Sequence, residues 1–303
     1  MSQEENGTLH CGFVALVGRP NVGKSTLLNQ LLGMKVSIVS RKPQTTRHRI
    51  LGITTRPEAQ VIWVDTPGLH RKQHRALNRS MNRTAAAALR DVDLVVFVVE
   101  ALHWTDDDEL VLEKIRAGGL PCILAVNKED TVTPREKLLP FLQSMAERYA
   151  FEEIIPICAR QGSQVPALEQ AVAKRLPESD VFLFPEEQVT DRSERFLVAE
   201  LIREQIMRAL GQEVPYSTAV EIEQFKREGN LTRIHAAILV ERQGQKAIMI
   251  GKGGAQLKRI GTGARKEMEQ LLDGKVFLEL WVKVREGWAD DERAMQSLGY
   301  DES

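Results

Sequence analysis

Short apolar runs alternate with amphipathic stretches over roughly the first 176 residues. Four of the runs are almost continuously apolar and are bounded by Gly, Asp or Asn: 13–17, 61–64, 94–99 and 122–126. Runs of this kind are typical of strands that are buried on both faces of a parallel sheet. The pattern therefore predicts a doubly wound, mostly parallel α/β domain. Helices are predicted over residues 24–32, 77–89, 106–116, 134–149 and 166–176.

The pattern changes after residue 176. Prolines and acids without a long periodic segment predict a linker, which is followed by a helix over 194–210 and two strands of alternating polarity. A helix, a glycine-rich turn and a second helix over 244–273 precede a strand over 276–284. The order α-β-β-α-α-β predicts a second, α+β domain. The predicted divisions are a tail over 1–10, a first domain over 11–177, a linker over 178–193, a second domain over 194–288, and a C-terminal helix and tail over 289–303.

Composition adds few constraints to this two-domain organisation. A length of 303 residues fits about two domains, and 43% hydrophobic with 27% charged residues is ordinary for globular proteins. The first ten residues are polar, so we expect no secretory signal. The three cysteines have neither the spacing of a disulfide framework nor that of a zinc site. A reducing, cytosolic location is the simplest expectation.

The net charge of −1 conceals an uneven distribution. Residues 226–285 contain 13 Lys or Arg and 6 Asp or Glu, a surplus of +7 that leaves −8 for the rest of the chain. A basic surplus confined to one domain is the electrostatic footprint of a nucleic-acid-binding module. The second domain is therefore expected to bind an anionic partner.

The sequence Gly18-Arg-Pro-Asn-Val-Gly-Lys24-Ser25 follows the first predicted strand and opens the first predicted helix. Glycines let backbone amides surround phosphate oxygens, and the helix N-terminus adds positive partial charge. Lys24 can bridge the β- and γ-phosphates, and the Ser25 hydroxyl can ligate Mg²⁺. The motif predicts a nucleoside triphosphate site. Its candidate residues are Gly18, Arg19, Pro20, Asn21, Val22, Gly23, Lys24, Ser25 and Thr26.

Two further segments can serve the γ-phosphate and the metal. Asp65 ends a predicted strand and can hold Mg²⁺ through water, while the amide of Gly68 can contact the γ-phosphate. A threonine after the first helix can complete the metal shell, and we favour Thr46 over Thr45, although both can be solvated loop residues. The metal candidates are Ser25, Thr46 and Asp65, and the second motif adds Asp65, Thr66, Pro67 and Gly68 to the nucleotide site.

A third motif, Asn127-Lys128-Glu-Asp130, follows the predicted strand over 122–126. The Asp130 carboxylate can accept the N1 and N2 hydrogens of guanine, whereas adenine has an acceptor at N1 and no 2-amino group. Asn127 and Lys128 can brace the loops around the base. A P-loop metabolic kinase would share the phosphate loop but has no use for this motif. The motifs together predict GTP and GDP as ligands, with Mg²⁺ as cofactor.

Taken in chain order, these elements resemble the translation-factor-like branch of P-loop GTPases. The resemblance covers about half of the chain, and it implies that the backbone amide of Ala159 contacts guanine beside Cys158, which replaces the usual serine. Lys24, Thr46 and Gly68 become catalytic candidates.

Directly after Gly68, Ras-like enzymes have a glutamine that orients the attacking water, whereas this chain has Leu69. Because leucine cannot hydrogen-bond water, slow intrinsic hydrolysis is expected. Similar GTPases with asparagine at the position of Asn21 bind K⁺ beside the phosphates. Asn21 is therefore a further catalytic candidate, the alternative being that it only stabilises the loop. Arg47 and His48, which follow Thr46, are expected to be surface charges rather than catalytic groups.

Between the last two predicted helices stands Ile250-Gly-Lys-Gly-Gly254. In the order α-β-β-α-α-β, this turn resembles the Gly-x-x-Gly loop of a type II KH domain, which packs against about four nucleotides of single-stranded RNA. The alternatives are a KH fold that docks on protein or on anionic lipid. The candidate RNA-binding residues are Gly251, Lys252, Gly253, Gly254, Lys258 and Arg259.

A GTPase domain, a KH domain and the segment 280–294 together resemble the Era family of bacterial Ras-like GTPases over nearly the whole chain. The resemblance implies binding to the 3′ end of 16S rRNA and a role in assembling the small ribosomal subunit. It also implies a cytoplasmic monomer that associates peripherally with the inner membrane. GTP would order the loops at Thr46 and Gly68, and hydrolysis would release them.

Overall fold

The structure is a computed structural model, and it describes residues 8–40, 42, 45–67, 90–211 and 218–288. The described residues form two compact units. The first holds residues 8–36, 49–67 and 90–191, and the second holds 192–288 together with the described part of 37–48. The predictions on Gly68, on Leu69, on a helix over 77–89 and on the segment 289–303 lie outside the described residues.

A mostly parallel sheet forms the first unit, as the apolar runs predict. Its strand order is β2-β3-β1-β4-β5-β6, and neighbouring strands are parallel except for the pair β2–β3; the short β7 pairs antiparallel with β1. The strands are β1 (Leu9–Val17), β2 (Ile50–Arg56), β3 (Ala59–Asp65), β4 (Leu94–Glu100), β5 (Cys122–Asn127), β6 (Glu153–Pro156) and β7 (Glu178–Ser179). The helices are α1 (Lys24–Leu32), α2 (Asp106–Gly118), α3 (Leu138–Ala146) and α4 (Val165–Ala173).

The central strands are buried because their side chains are apolar on both faces. All of β3 is buried, and so is all of β5. The predicted nucleotide motifs begin at the carboxyl ends of β1, β3 and β5, and ligands of doubly wound sheets bind at these ends. The fold therefore brings the three predicted nucleotide motifs to one edge of the sheet.

The segment predicted as a linker is hydrogen-bonded to the first unit as far as residue 191. The side chain of Gln60 is fully buried. It accepts a hydrogen bond from the backbone N–H of Phe184 at 2.9 Å and donates one to the carbonyl of Phe184 at 2.8 Å. Further along, the Thr190 hydroxyl donates to the carbonyl of Leu51. Backbone and side-chain hydrogen bonds thus hold residues 178–191 against β2 and β3.

The second unit has the predicted order α-β-β-α-α-β. Strand β9 lies between β8, to which it is antiparallel, and β10, to which it is parallel. Apolar residues of all three helices and of the inner sheet face form one core. The elements are α5 (Glu194–Ala209), β8 (Thr218–Glu228), β9 (Leu231–Val240), α6 (Gln243–Ile250), a 3-10 turn (Lys252–Gly254), α7 (Ala255–Leu271) and β10 (Lys275–Val284).

The structure differs from the prediction at two elements of the first unit. Strand β2 was not predicted, because its sequence ILGITTR mixes glycine and threonine with few apolar residues and it stands at the end of the strand order, beside β3. The helix predicted from residue 134 begins at Leu138, after a 3-10 turn over Arg135–Lys137. No helix in the described ranges is long and apolar enough to cross a membrane.

Replacing Gln60 with alanine is expected to release the segment 178–191 from the sheet. The Phe184 N–H and carbonyl would lose their partner, at a cost of about 1–3 kcal/mol. Hydrogen exchange should show faster exchange of the amides in 178–191. The control, Gln143→Ala, changes an exposed residue on α3 and should leave exchange unaltered. Unchanged protection of 178–191 in Gln60→Ala would contradict this account.

Candidate nucleotide site and nucleic-acid groove

The phosphate loop adopts a tight left-handed path between β1 and α1. Gly18, Asn21 and Gly23 all have positive φ, of 152°, 65° and 107°. A Cβ on Gly18 would lie 2.4 Å from the carbonyl oxygen of Val98, so only glycine fits there. Helix α1 has no acidic residue in its first turn, which leaves its N-terminus suited to an anion.

Lys24 is buried inside this loop. Its ammonium donates to the carbonyl oxygens of Gly18, at 2.8 Å, and Arg19, at 3.0 Å. Burial lowers the pKa of Lys24 to about 8, against the opposing effect of the Asp65 carboxylate. The loop thus holds a cation whose partners are neutral carbonyls, which leaves it available to a phosphate.

Two of the predicted metal ligands meet at the start of α1. The Ser25 hydroxyl donates to Oδ2 of Asp65 at 3.0 Å, and Asp65 is fully buried at the end of β3. A hydroxyl and a carboxylate are oxygen ligands of the kind that Mg²⁺ prefers. The next residue, Thr66, donates its hydroxyl to the carbonyl of Leu16 and thereby joins β3 to β1.

Asn127 joins the phosphate loop to two other loops. Its side-chain amide donates to the carbonyl of Val22 at 2.7 Å, and its Oδ1 accepts from the backbone N–H of Ala159 at 3.0 Å. The amide nitrogen lies only 2.3 Å from where a Cβ on Gly23 would be, so glycine is required there as well. One side chain therefore fixes the spacing of three loops.

The Asp130 carboxylate is held by two side chains from the following loop. Cys158 Sγ donates to Oδ1 at 3.1 Å, and the Arg160 guanidinium pairs with Oδ2 at 2.9 Å. The thiol thus makes a hydrogen bond that a serine hydroxyl could also make. Burial, reinforced by Asp130, raises the pKa of Cys158, so the thiol remains protonated and able to donate. Arg160 was not predicted, because its partner Asp130 lies 30 residues earlier in the sequence.

Thr46, the third predicted metal ligand, lies in the 37–48 segment, which belongs to the second unit. The carbonyl of Thr45 accepts a hydrogen bond from the guanidinium of Arg203 on α5. The N–H of Val39 donates to Glu204 Oε1 at 2.9 Å. Arg47, predicted as a surface charge, is buried and donates to the carbonyl of Thr218 at 2.8 Å.

The charges beneath this segment are themselves buried. Arg203 forms two hydrogen bonds of 2.7 Å with Glu200, and its side chain is only 1% exposed. Burial alone would raise the pKa of Glu200, but Arg203, His48 and Arg47 hold it below the usual value. The His48 ring packs edge-on against Phe196 at 5.2 Å. Helix α5 therefore presents a preformed charged surface to the 37–48 segment.

The predicted RNA-binding loop joins α6 to α7. Gly251, Gly253 and Gly254 have φ values of 72°, 60° and 79°, and a Cβ on Gly251 would lie 2.7 Å from that of Gln256. Lys252 is exposed. These backbone conformations favour glycine, and the loop leaves the Lys252 side chain accessible to a ligand.

A groove of about 370 Å³ runs from this loop between α7 and β10. Gly254 and Lys258 were predicted, and Lys252 and Arg259 are exposed outside the groove lining. The sequence analysis did not predict that apolar residues of β10 form one side of the groove. The groove residues of α7 recur every three or four positions, so helical periodicity could have indicated the other side. The lining residues are Gly254, Leu257, Lys258, Gly261, Thr262, Arg265, Leu278 and Leu280.

Comparison with known proteins places both units in described families. Residues 13–128 match the family described as a 50S ribosome-binding GTPase, and residues 213–289 match the KH domain. The chain is 59% identical over 296 residues to GTPase Era of Pseudomonas putida strain W619, covering 98% of each chain. It is 58% identical over 290 residues to GTPase Era of Pseudomonas aeruginosa strain PAO1, covering 96% of this chain and 95% of that protein.

Two solved structures resemble the whole chain at 40% identity. An Era protein of Aquifex aeolicus bound to GDP and aluminium fluoride has a TM-score of 0.93. An Era complex with MgGDPNP and nucleotides 1506–1542 of 16S ribosomal RNA has a TM-score of 0.92. Each comparison covers 97% of this chain and 100% of the other. The α/β GTPase fold and the KH fold predicted from the sequence are thus confirmed, and the chain belongs to the Era family of GTPases.

Proposed function

We propose that this chain is a GTP-hydrolysing switch that binds single-stranded RNA. Its GTPase domain would span residues 11–177, its linker 178–193 and its KH domain 194–288. The proposal rests on the two hydrogen bonds of the Asn127 side chain, one to Val22 of the phosphate loop and one to Ala159. Ala159 lies between Cys158 and Arg160, whose side chains contact the Asp130 carboxylate. These contacts set phosphate-binding and guanine-binding groups in one rigid arrangement. Relatives of similar length are named as GTPases.

The residues that would bind the phosphates and Mg²⁺ are assigned from their charge and their oxygen ligands. Lys24 would move from its carbonyl partners to the β- and γ-phosphates. Ser25, Asp65 and Thr46 would hold Mg²⁺, which when bound offsets phosphate charge. Thr46 and Gly68 would respond to the γ-phosphate. The full proposed nucleotide site is Gly18, Arg19, Pro20, Asn21, Val22, Gly23, Lys24, Ser25, Thr26, Asp65, Thr66, Pro67, Gly68, Asn127, Lys128, Asp130, Cys158 and Ala159.

Guanine specificity is assigned to Asp130. A carboxylate has only acceptors, which match the N1 and N2 hydrogens of guanine. The exposed Arg160 guanidinium pairs with Oδ2 of Asp130. A bound guanine would therefore either share this carboxylate oxygen with Arg160 or displace Arg160 from it. Cys158 would keep the carboxylate oriented while that exchange takes place.

Asn21 is proposed to support hydrolysis through K⁺, since Leu69 cannot orient water. Asn21 is exposed, and its backbone lies in the left-handed region, with φ of 65°. Asparagine tolerates this backbone region, which also fits the alternative role of stabilising the loop. The two roles separate when the side chain is removed and the conformation is kept.

Single-turnover GTP hydrolysis should be at least about tenfold faster in KCl than in NaCl at equal ionic strength. In Asn21→Gly, the left-handed loop remains accessible while the amide oxygen is lost, so the advantage of K⁺ should disappear. Equal rates of the unaltered protein in the two salts would exclude this role for K⁺.

RNA binding is assigned to the glycine loop and groove of the second unit. The loop exposes Lys252, and Lys258 and Arg265 line the groove beside apolar residues that can pack on bases. The other RNA-binding candidates are Gly251, Gly253, Gly254 and Arg259. The 3′ end of 16S rRNA is the proposed target and assembly of the small ribosomal subunit the proposed process, supported by the Era complex with 16S nucleotides.

Replacing Gly253 with aspartate should weaken binding of short single-stranded RNA about tenfold or more, because a negative charge would face the phosphates. Gly229→Asp is a matched control, since Gly229 has φ of 59° against 60° for Gly253 and both positions are open to solvent. Fluorescence anisotropy at several salt concentrations measures both. Equal losses in the two variants would exclude the loop, and binding to anionic vesicles without preference for RNA would favour the lipid alternative.

Coupling between nucleotide and RNA is assigned to the 37–48 segment. The segment that carries Thr46 is hydrogen-bonded to Arg203 and Glu204 of α5. Its Lys42 donates to the carbonyls of Leu210 and Gly211, which follow α5. If the γ-phosphate and Mg²⁺ recruit Thr46, these contacts compete with nucleotide binding. The KH domain would thereby sense the nucleotide.

Arg203→Met should raise the affinity for a non-hydrolysable GTP analogue relative to GDP about fivefold, because it frees the carbonyl of Thr45. Lys42→Ala should act in the same direction without disturbing the core. Arg195→Met alters an exposed arginine on the same helix and should change neither affinity. Calorimetric titration supplies both constants. An unchanged ratio in both test variants would remove the segment from the switch.

We also propose that the protein is a cytoplasmic monomer with peripheral association to the inner membrane, following the family resemblance. The basic surplus of residues 226–285 supports attraction to anionic surfaces of either kind, RNA or lipid.

A further inference from the structure

Arg19 lies in the phosphate loop, yet its guanidinium is engaged by two carboxylates. Its Nη2 pairs with Glu100 Oε2 at 3.0 Å, and its Nε donates to Asp108 Oδ2 at 3.0 Å. Glu100 ends β4, and Asp108 lies in the first turn of α2. The arginine therefore ties the phosphate loop to two other elements.

The same oxygen of Glu100 also accepts from Lys128, the residue that follows Asn127 in the guanine motif. The Lys128 ammonium lies 2.9 Å from Glu100 Oε2. Burial alone would raise the pKa of Glu100, but hydrogen bonds and charge from Lys128 and Arg19 hold it below the usual value. Glu100 is thus an ionised link between the phosphate loop and the guanine loop.

Asp108 anchors the other end of the arginine. Its side chain is fully buried, and its Oδ2 also accepts hydrogen bonds from the backbone N–H of Thr105 at 2.9 Å and from its hydroxyl at 2.8 Å. A buried carboxylate with three donors is fixed in position. Because Arg19 is only 16% exposed, its two hydrogen bonds lose little strength to solvent.

We propose that Arg19 and Glu100 are positioning residues that transmit the placement of the phosphate loop to the guanine loop. The proposal rests on the guanine-nucleotide function given above and deepens it. Asn127 joins the same loops through Val22, so the Arg19–Glu100–Lys128 chain is a second, ionic connection on another side. With both connections intact, Lys128 is fixed and Asp130, two residues further on, is aimed at the base.

The consequence is a measurable link between a phosphate-loop residue and base selectivity. GDP and IDP differ by the 2-amino group that Asp130 recognises. A loosened guanine loop would lose affinity for GDP more than for IDP, whereas damage confined to the phosphate loop would weaken both by the same factor.

The test compares the binding of GDP and of IDP by isothermal titration calorimetry in the full-length protein. Glu100→Gln keeps the shape of a partly exposed side chain and should fold; we expect about tenfold weaker GDP binding and about threefold weaker IDP binding. Arg19→Gln should lower the preference for GDP by a similar factor. The double variant Arg19→Gln/Glu100→Gln should lose no more GDP affinity than the single variant with the larger loss. Glu169→Gln, which breaks the surface pair with Arg56, is the matched control and should change neither affinity.

Two results would overturn the proposal: equal losses for GDP and IDP in Glu100→Gln, or independent, multiplying losses in the double variant. If Arg19→Gln unfolds because Asp108 is left without its cation, the double variant Arg19→Gln/Asp108→Asn replaces it. If the unaltered protein does not prefer GDP to IDP, the guanine-binding function fails. A preference that persists unchanged in Glu100→Gln overturns only the positioning role.

Discussion

The side-chain amide of Asn127 is the interaction on which the geometry of the first unit depends. It donates to Val22 in the phosphate loop and accepts from Ala159 in the loop beside Asp130. The close approach explains why residue 23 is glycine. Parallel strands supply these loops at one edge of the sheet, but strands alone would not fix their spacing. A buried amide that is hydrogen-bonded through both its nitrogen and its oxygen fixes that spacing.

Local rules predicted the elements that local sequence determines. Helix α1 begins and ends as predicted, because Gly23 and Gly33 bound it in left-handed conformations. The glycine loop of the second unit was also predicted correctly, because both its glycines and the order of the surrounding elements indicated it. Strand β2 was missed because an edge strand needs less apolar surface. The candidate nucleotide motifs could be identified from spacing, whereas Arg160 and Glu100 could not, since their partners are distant in sequence.

The environment of the 37–48 segment was the feature that the sequence predicted least well. Its arginine and histidine were expected at the surface, yet Arg47 and His48 are buried with the second unit. Charged residues can be buried when opposite charges and hydrogen bonds compensate them. Arg47 and His48 both act on the Glu200 carboxylate of α5, and Arg47 donates to the carbonyl of Thr218. No local pattern reveals partners more than about 150 residues away in the sequence. Buried ion pairs often stabilise a fold no more than apolar packing would.

In the proposed switch, nucleotide and RNA are coupled through the protein. The most direct measurement is a thermodynamic cycle in which the affinity for single-stranded RNA carrying the 16S 3′ sequence is determined with GDP and with a non-hydrolysable GTP analogue. The nucleotide affinities are then determined with and without that RNA. If the two sites are coupled, the RNA affinity depends on the nucleotide, and RNA changes the preference for GTP over GDP by the same factor. RNA affinities that are equal in the two nucleotide states would contradict the coupling and leave two independent activities on one chain.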